Sequence, residues 1–137
     1  LIHDGARPLI TPPEILACVD AAKEYGAAVL ATPMKDTMKI VASNGMIEKT
    51  IPRELLYAVQ TPQVFEKQAF QKALDAARRE NKDYTDDSQV FEAAGQPIKI
   101  VYGSGRNLKI TTPDDLVLAH MLLSEEEEEY VPDWPRV

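Results

Sequence analysis

Residues 11–32 hold a capped helix that stops at one glycine and passes straight into an apolar run, and that succession leaves few folds open. Thr11-Pro12-Pro13-Glu14 is a helix start. Threonine supplies the N-cap, proline brings the right φ for the first turn, and glutamate stands where it can reach back to the cap. Ile15, Cys18, Val19 and Ala22 then share one face, and Gly26 ends the helix after Tyr25. Residues 27–32 read as a short buried strand. With residues 1–3 as the tail of an earlier strand, the succession is a βαβ unit, so the sheet is expected to be parallel here. The chain has 137 residues, of which 45% are hydrophobic, enough for one domain with a real core. It opens directly on a strand end, which reads as the later part of a larger domain.

The next segment follows a different rule. Residues 37–42 and 46–51 alternate around Ser43-Asn44-Gly45, and Asn-Gly is the strongest short hairpin signal because a type I′ turn needs positive φ at both central positions. An isolated hairpin is marginal in water, so this one needs a partner surface, either the parent domain or a second subunit. Residues 57–60 read as a short strand ending at Thr61-Pro62-Gln63. Residues 65–80 have helical spacing at Phe70, Ala73, Leu74 and Ala77, and Thr85-Asp86-Asp87-Ser88 opens a short helix that closes at Gly95. Residues 98–102 are a strand, Gly103-Ser104-Gly105 a turn, and residues 108–111 extended chain. Thr112-Pro113-Asp114-Asp115 repeats the first cap and starts a helix expected to turn Leu116, Ala119, His120 and Leu123 inward.

Charge and composition exclude several classes. The net charge of −7 is mostly local: Glu125 to Glu129 form an unbroken acidic run, and the chain is nearly balanced without it. Residues 124–137 are therefore read as a solvated helix end and tail. Basic residues are scattered and no basic stripe alternates with aromatics, so nucleic acid is not an expected partner. No apolar run approaches the roughly 20 residues of a membrane helix, and no signal peptide is visible. The single cysteine, Cys18, is expected to be a buried inert thiol, and a reducing cytoplasm is the simple inference.

Chemistry-bearing residues gather at two places distant in sequence. His3-Asp4-Gly5-Ala6-Arg7-Pro8 follows the first strand tail, and Asn107-Leu108-Lys109-Ile110-Thr111-Thr112-Pro113 leads into the last helix. Each sits where a strand would end, the rim at which open α/β sheets bind ligands. Asp4 and Arg7 form either a loop ion pair of little worth or a phosphate clamp, with Asp4 addressing a hydroxyl or a hydrated cation. Lys109 is either solvated or placed to neutralise a phosphoryl group. Thr85 is an N-cap, a substrate ligand or both, and Asp86-Asp87 is favoured as a helix start over a metal site. His3 and His120 lack a second ligand at metal-binding spacing. The chain has no Walker or dinucleotide glycine pattern and no nucleophile–histidine arrangement.

Five blocks then occur in order: His-Asp-Gly-Ala-Arg-Pro at 3–8, Lys-Asp-Thr-Met-Lys at 35–39, Gln-Thr-Pro-Gln-Val-Phe at 60–65, Thr-Asp-Asp-Ser at 85–88, and Asn-Leu-Lys-Ile-Thr-Thr-Pro-Asp-Asp-Leu at 107–116. Together they resemble 2-C-methyl-D-erythritol 4-phosphate cytidylyltransferase of non-mevalonate isoprenoid biosynthesis, over residues 1–123. The resemblance implies an α/β fold, part of a Rossmann-like nucleotidyltransferase three-layer sandwich with a protruding β-hairpin arm at about residues 35–53. It implies that the phosphate of methylerythritol phosphate attacks the α-phosphorus of CTP, with pyrophosphate leaving and Mg2+ bound through the CTP phosphates. It also implies that Asp4, Arg7, Thr61, Thr85 and Lys109 line the methylerythritol phosphate site. Thr37 and Arg53 would reach that site from the partner subunit of a homodimer crossed by the arm, with Arg53 and Lys109 holding the attacking phosphate.

The family's glycine-rich loop for the CTP phosphates, and the basic residues beside it, do not occur in these 137 residues. The chain is thus expected to carry the acceptor half of a site and to show little transferase activity alone. The alternatives are a polyol-phosphate cytidylyltransferase acting on ribitol 5-phosphate and an inactive fragment or dimerisation module that keeps the arm. A sugar-phosphate uridylyltransferase stands further off, because fold alone does not fix the base.

Overall fold

Glu14 explains why the first helix begins where it does. One of its carboxylate oxygens accepts from both the Thr11 N–H at 3.1 Å and the Thr11 hydroxyl at 2.8 Å, closing the expected capping box. The other accepts from the Ser104 N–H at 2.8 Å, which ties the helix start to a turn ninety residues away. Helix α1 covers Pro12–Tyr25 and ends at Gly26, whose φ of 88° lies in the left-handed region that glycine enters freely. The computed structural model describes residues 1–80 and 82–129.

Strand β1, Ala27–Pro33, is the central strand of a three-stranded sheet. Strand β4, Tyr57–Phe65, pairs antiparallel with it from Ala27↔Phe65 to Pro33↔Tyr57. Strand β5, Lys99–Tyr102, pairs parallel on its other side from Ala28↔Lys99 to Ala31↔Tyr102. Ile2 bridges Gln63 antiparallel on the outer edge of β4. The parallel βαβ expectation is therefore corrected: residues 1–3 do run in the direction of β1, but antiparallel β4 lies between them, and the sheet is mixed.

The side chains of β1 alternate between two cores, which makes three layers. Ala28 and Leu30 join Val64 beneath Cys18 and Ala22 of α1. Ala27 faces the other way, into a cluster with Phe91 and Val90 of α3 (Asp87–Ala93) and Ala73 of α2 (Lys67–Glu80). Phe65 stacks on Phe70 with ring centroids 4.4 Å apart and meets Phe91 at 5.2 Å. Burying a side chain the size of Phe91 is worth about 2–3 kcal/mol, so this aromatic trio anchors the second layer.

Strand β4 exceeds the expected 57–60 because it absorbs its proline in a bulge. Between the pairs Val29↔Gln63 and Ala31↔Val59, Leu30 alone faces Gln60, Thr61 and Pro62. The Thr61–Pro62 peptide is cis. A proline has no N–H for the ladder, so pairing skips this point and resumes beyond it.

Strands β2, Met38–Val41, and β3, Ile47–Ile51, form the expected hairpin, exposed along nearly its whole length. Its turn differs from the expected type I′. The Gly45 N–H donates to the Ala42 carbonyl at 2.9 Å, so Ser43 and Asn44 are the central pair and Gly45 follows at φ 82°. This is a three-residue loop with glycine in the left-handed position.

Helix α4, Pro113–Glu129, starts as expected: Asp115 accepts from the N–H and hydroxyl of both Thr111 and Thr112. Its inward face does not follow. Ala119 is buried, whereas Leu116, His120 and Leu123 are exposed. From Leu116 to Leu123 every residue but His120 is apolar, so periodicity did not define one face, and of these eight only Ala119 is buried. Residues 125–129 of the expected acidic end continue the helix; 130–137 lie outside the described residues. Among the described residues, no helix is long and apolar enough to cross a membrane.

Candidate active site

The two chemistry-bearing stretches are stitched side by side. The Ile110 N–H donates to the Ala6 carbonyl at 2.8 Å, and Arg7 Nη1 donates to the Asn107 carbonyl at 2.7 Å. Lys109 Nζ lies 2.8 Å from Asp4 Oδ2, while Arg7 Nε stands 4.0 Å from the same oxygen. The strand tail supplies the first stretch and β5 with its turn delivers the second. They meet over the β4 bulge and the start of α3, around a cleft of about 330 Å³.

Asp4, Arg7, Thr61, Thr85 and Lys109 all line this cleft, together with Gln60, Asp86 and Asp87. The Asp4 carboxyl lies below its usual value, chiefly through the hydrogen bond from Lys109, with the charges of Lys109 and Arg7 adding to it against partial burial. Arg7 is mostly buried, which loosens its proton while Asp4 helps retain it; a guanidinium remains charged at neutral pH. Its Nε is buried with no hydrogen-bond partner. A guanidinium and a half-exposed ammonium lining one cleft suit an incoming anion.

Thr61 accepts from the Asp4 N–H at 3.0 Å and meets His3 Nδ1 at 2.9 Å. Thr85 is not the N-cap of α3, one of the two roles left open from sequence. Its N–H and hydroxyl both donate to Gln89 Oε1, and Asp86 caps instead, accepting from the Gln89 N–H at 2.9 Å. Burial pushes the Asp86 carboxyl up, but hydrogen bonds from Ser88, Gln63 and Gln89 outweigh it and hold the group below its usual value. Asp87 is raised, by burial first and the neighbouring Asp86 charge second. The helix-start reading of this pair therefore holds for Asp86. Among the described residues no three His, Cys, Asp or Glu side chains cluster to hold a metal ion.

Thr37 and Arg53 stand apart from the cleft within this chain. Thr37 is exposed at the foot of the hairpin, and Arg53, exposed in a single 3-10 turn (Arg53–Leu55), donates to the Lys35 carbonyl at 3.1 Å.

Against known proteins, the family model for 2-C-methyl-D-erythritol 4-phosphate cytidylyltransferase (IspD) matches residues 1–125. The chain belongs to this family. It is 50% identical over 125 residues to the cytidylyltransferase of that name from Dehalococcoides mccartyi, covering 91% of this chain and 54% of the relative. The Desulforamulus reducens protein of the same name is also 50% identical, over 90% of this chain and 53% of the relative. The crystal structure of the family member from Thermus thermophilus superimposes with a TM-score of 0.82 at 37% identity, covering 90% of this chain and 61% of that one. The chain spans about half the length of the curated relatives it matches. The family assignment accounts for the α/β layering and the protruding hairpin together.

Sequence reasoning missed the residues that hold the site's shape. Asn107 is wholly buried, and its Nδ2 donates to the Thr61 carbonyl at 2.8 Å and to Gln60 Oε1 at 3.1 Å. Gln63 donates to Asp86 and accepts from the Ser88 N–H, locking the start of α3 against β4. Gly103 leaves room for this network, since a Cβ there would stand 2.8 Å from Gln60 Oε1. Periodicity cannot reveal such residues because glutamine and asparagine read as solvated. The only available cue was that Gln60 and Gln63 flank a proline inside an apolar run.

Proposed function

We propose that this chain receives the acceptor in a cytidylyl transfer, binding 2-C-methyl-D-erythritol 4-phosphate so that its phosphate attacks the α-phosphorus of CTP. A phosphate oxygen forms the new P–O bond and the bond to pyrophosphate breaks. The observation that carries the reading is the convergence of Arg7 and Lys109 on one carboxylate at a cleft that Thr61 and Thr85 also line. Two like-charged phosphates at contact repel by several kcal/mol even at an effective dielectric near 20. Neutralisation and positioning are therefore the protein's task. In the free cleft Lys109 is spent on Asp4. An incoming phosphate competes for that ammonium, leaving Asp4 to accept from a substrate hydroxyl.

The hairpin supports a homodimer in which each arm brings Thr37 and Arg53 to the other subunit's cleft: Met38, Ile40, Val41, Met46 and Ile47 are all exposed on it. The magnesium implied by the family would be held by the nucleotide's own phosphates; among the described residues no three ligating side chains cluster. The buried, unpaired Cys18 suits a reducing cytoplasm. Donor binding would require a glycine-rich phosphate loop that this sequence lacks.

Calorimetry on the chain with methylerythritol phosphate, ribitol 5-phosphate and inorganic phosphate tests the reading. Methylerythritol phosphate is expected to bind tightest, and the chain alone is expected to release no pyrophosphate from CTP. Equal affinity for all three ligands would overturn the assignment. Sedimentation of the chain and of Ile47→Lys tests the arm, with loss of a dimer expected for the variant.

A further inference from the structure

The hydrogen bonds around His3 decide what Thr61 has left to offer. His3 Nε2 lies 3.0 Å from the Arg7 carbonyl, which can only accept, so Nε2 carries the proton. In the neutral ring Nδ1 is then an acceptor, and its partner at 2.9 Å, the Thr61 hydroxyl, donates to it. The same hydroxyl accepts the Asp4 N–H at 3.0 Å. A hydroxyl has one proton and two lone pairs. Its proton and one lone pair are used within the protein, and one lone pair remains on a residue that lines the cleft.

We infer that His3 is a positioning residue that turns Thr61 into an acceptor-only group, so that Thr61 reads a hydroxyl of the polyol and not its phosphate. This rests on the acceptor-site reading and deepens it. A phosphate dianion presents only acceptors, which an acceptor-only threonine cannot bind. The charged groups lining the cleft divide the remaining work. Arg7 and Lys109 are the donors for the phosphate, while Asp4, Asp86 and Asp87 are acceptors. The placement of His3 accounts for recognition of the sugar-alcohol portion at a point where the two cations give none. A bare alkyl phosphate would satisfy Arg7 and Lys109 equally well, and Thr61 would reject it for want of a donor.

The test uses the whole chain and 2-C-methyl-D-erythritol 4-phosphate, with analogues carrying fluorine or hydrogen in place of the hydroxyl at carbon 1, 2 or 3. At one position both replacements are expected to weaken binding roughly three- to tenfold, because each removes the donor. That penalty disappears in Thr61→Val and in Thr61→Ala, and persists in Thr61→Ser. Long-range proton–nitrogen NMR of His3 is expected to show the neutral form protonated at Nε2, with Nδ1 shifting in Thr61→Val while Nε2 does not. A His3 ring protonated at Nδ1, alone or with Nε2, overturns the inference whatever ligand binds. Tight binding of the parent compound with no Thr61-dependent penalty at any position also overturns it and leaves the acceptor reading intact. Binding no tighter than inorganic phosphate removes the acceptor reading, and the inference with it.

Discussion

Replacing Asn107 by alanine tests how the site is held, and its effect can be worked from four contacts. The Asn107 side chain is wholly buried and donates to the Thr61 carbonyl at 2.8 Å and to Gln60 Oε1 at 3.1 Å. Alanine leaves both acceptors without that donor, at about 1–3 kcal/mol for each one left unsatisfied. The Gln60 amide keeps its own bond to the Ser104 carbonyl at 3.3 Å, which places its share at the lower end. Asn107 Oδ1 is itself buried and unpaired, so removing it returns about 1 kcal/mol, and a void the size of the lost amide takes back a similar amount. The net expectation is a loss of about 2–4 kcal/mol, a large part of the stability of a small domain. The Arg7 Nη1 bond survives, because its acceptor is the backbone carbonyl of residue 107.

Asn107→Asp, nearly isosteric, should be worse at neutral pH because it turns a carboxylate toward two acceptors. Its acid form is the tolerated one, so the raised folded-state pKa makes the loss grow as pH climbs above about 4. Urea unfolding followed by circular dichroism at several pH values measures both variants. An alanine variant within about 0.5 kcal/mol of the parent, or an aspartate variant with no pH dependence, would refute the account.

Lys109→Ala should weaken methylerythritol phosphate binding by roughly tenfold, a discounted value because the side chain is half exposed, and Lys109→Arg should retain most of it; calorimetry at two salt concentrations also reads a shallower salt dependence for the alanine variant. Asp115, held down to about 2 by hydrogen bonds from Thr111 and Thr112, adds stability that is fully present above its unfolded value near 4 and is lost as pH falls toward 2. Asp115→Asn should therefore flatten the acid limb of the stability profile, read by urea midpoints between about pH 2 and 5. Cys18, pushed up to about 11 by burial, should react with a disulfide-exchange reagent only through opened forms of the chain, so its modification rate at fixed reagent concentration should rise steeply with urea.

Local chemistry was legible wherever a residue's neighbours in sequence are also its partners in space. The Thr11–Glu14 and Thr112–Asp115 caps, the glycine stop at 26 and the Asn-Gly hairpin all belong to that class, because each is settled within a few residues. The motif order around Asp4, Arg7, Thr61, Thr85 and Lys109 was legible too, since each motif spans only a handful of positions. Three things required the assembled chain. The place of β4 between the strand tail and β1 follows from a bulge at Pro62, where local propensity argues for a stop. The solvent-facing apolar sides of α4 depend on which surface is there to meet them. Last come the buried polar contacts among Asn107, Gln60, Thr61 and His3, which join residues up to fifty-eight positions apart and leave no periodic trace. Their worth comes from being dry, and burial is a property of the packed molecule and not of any stretch of its sequence.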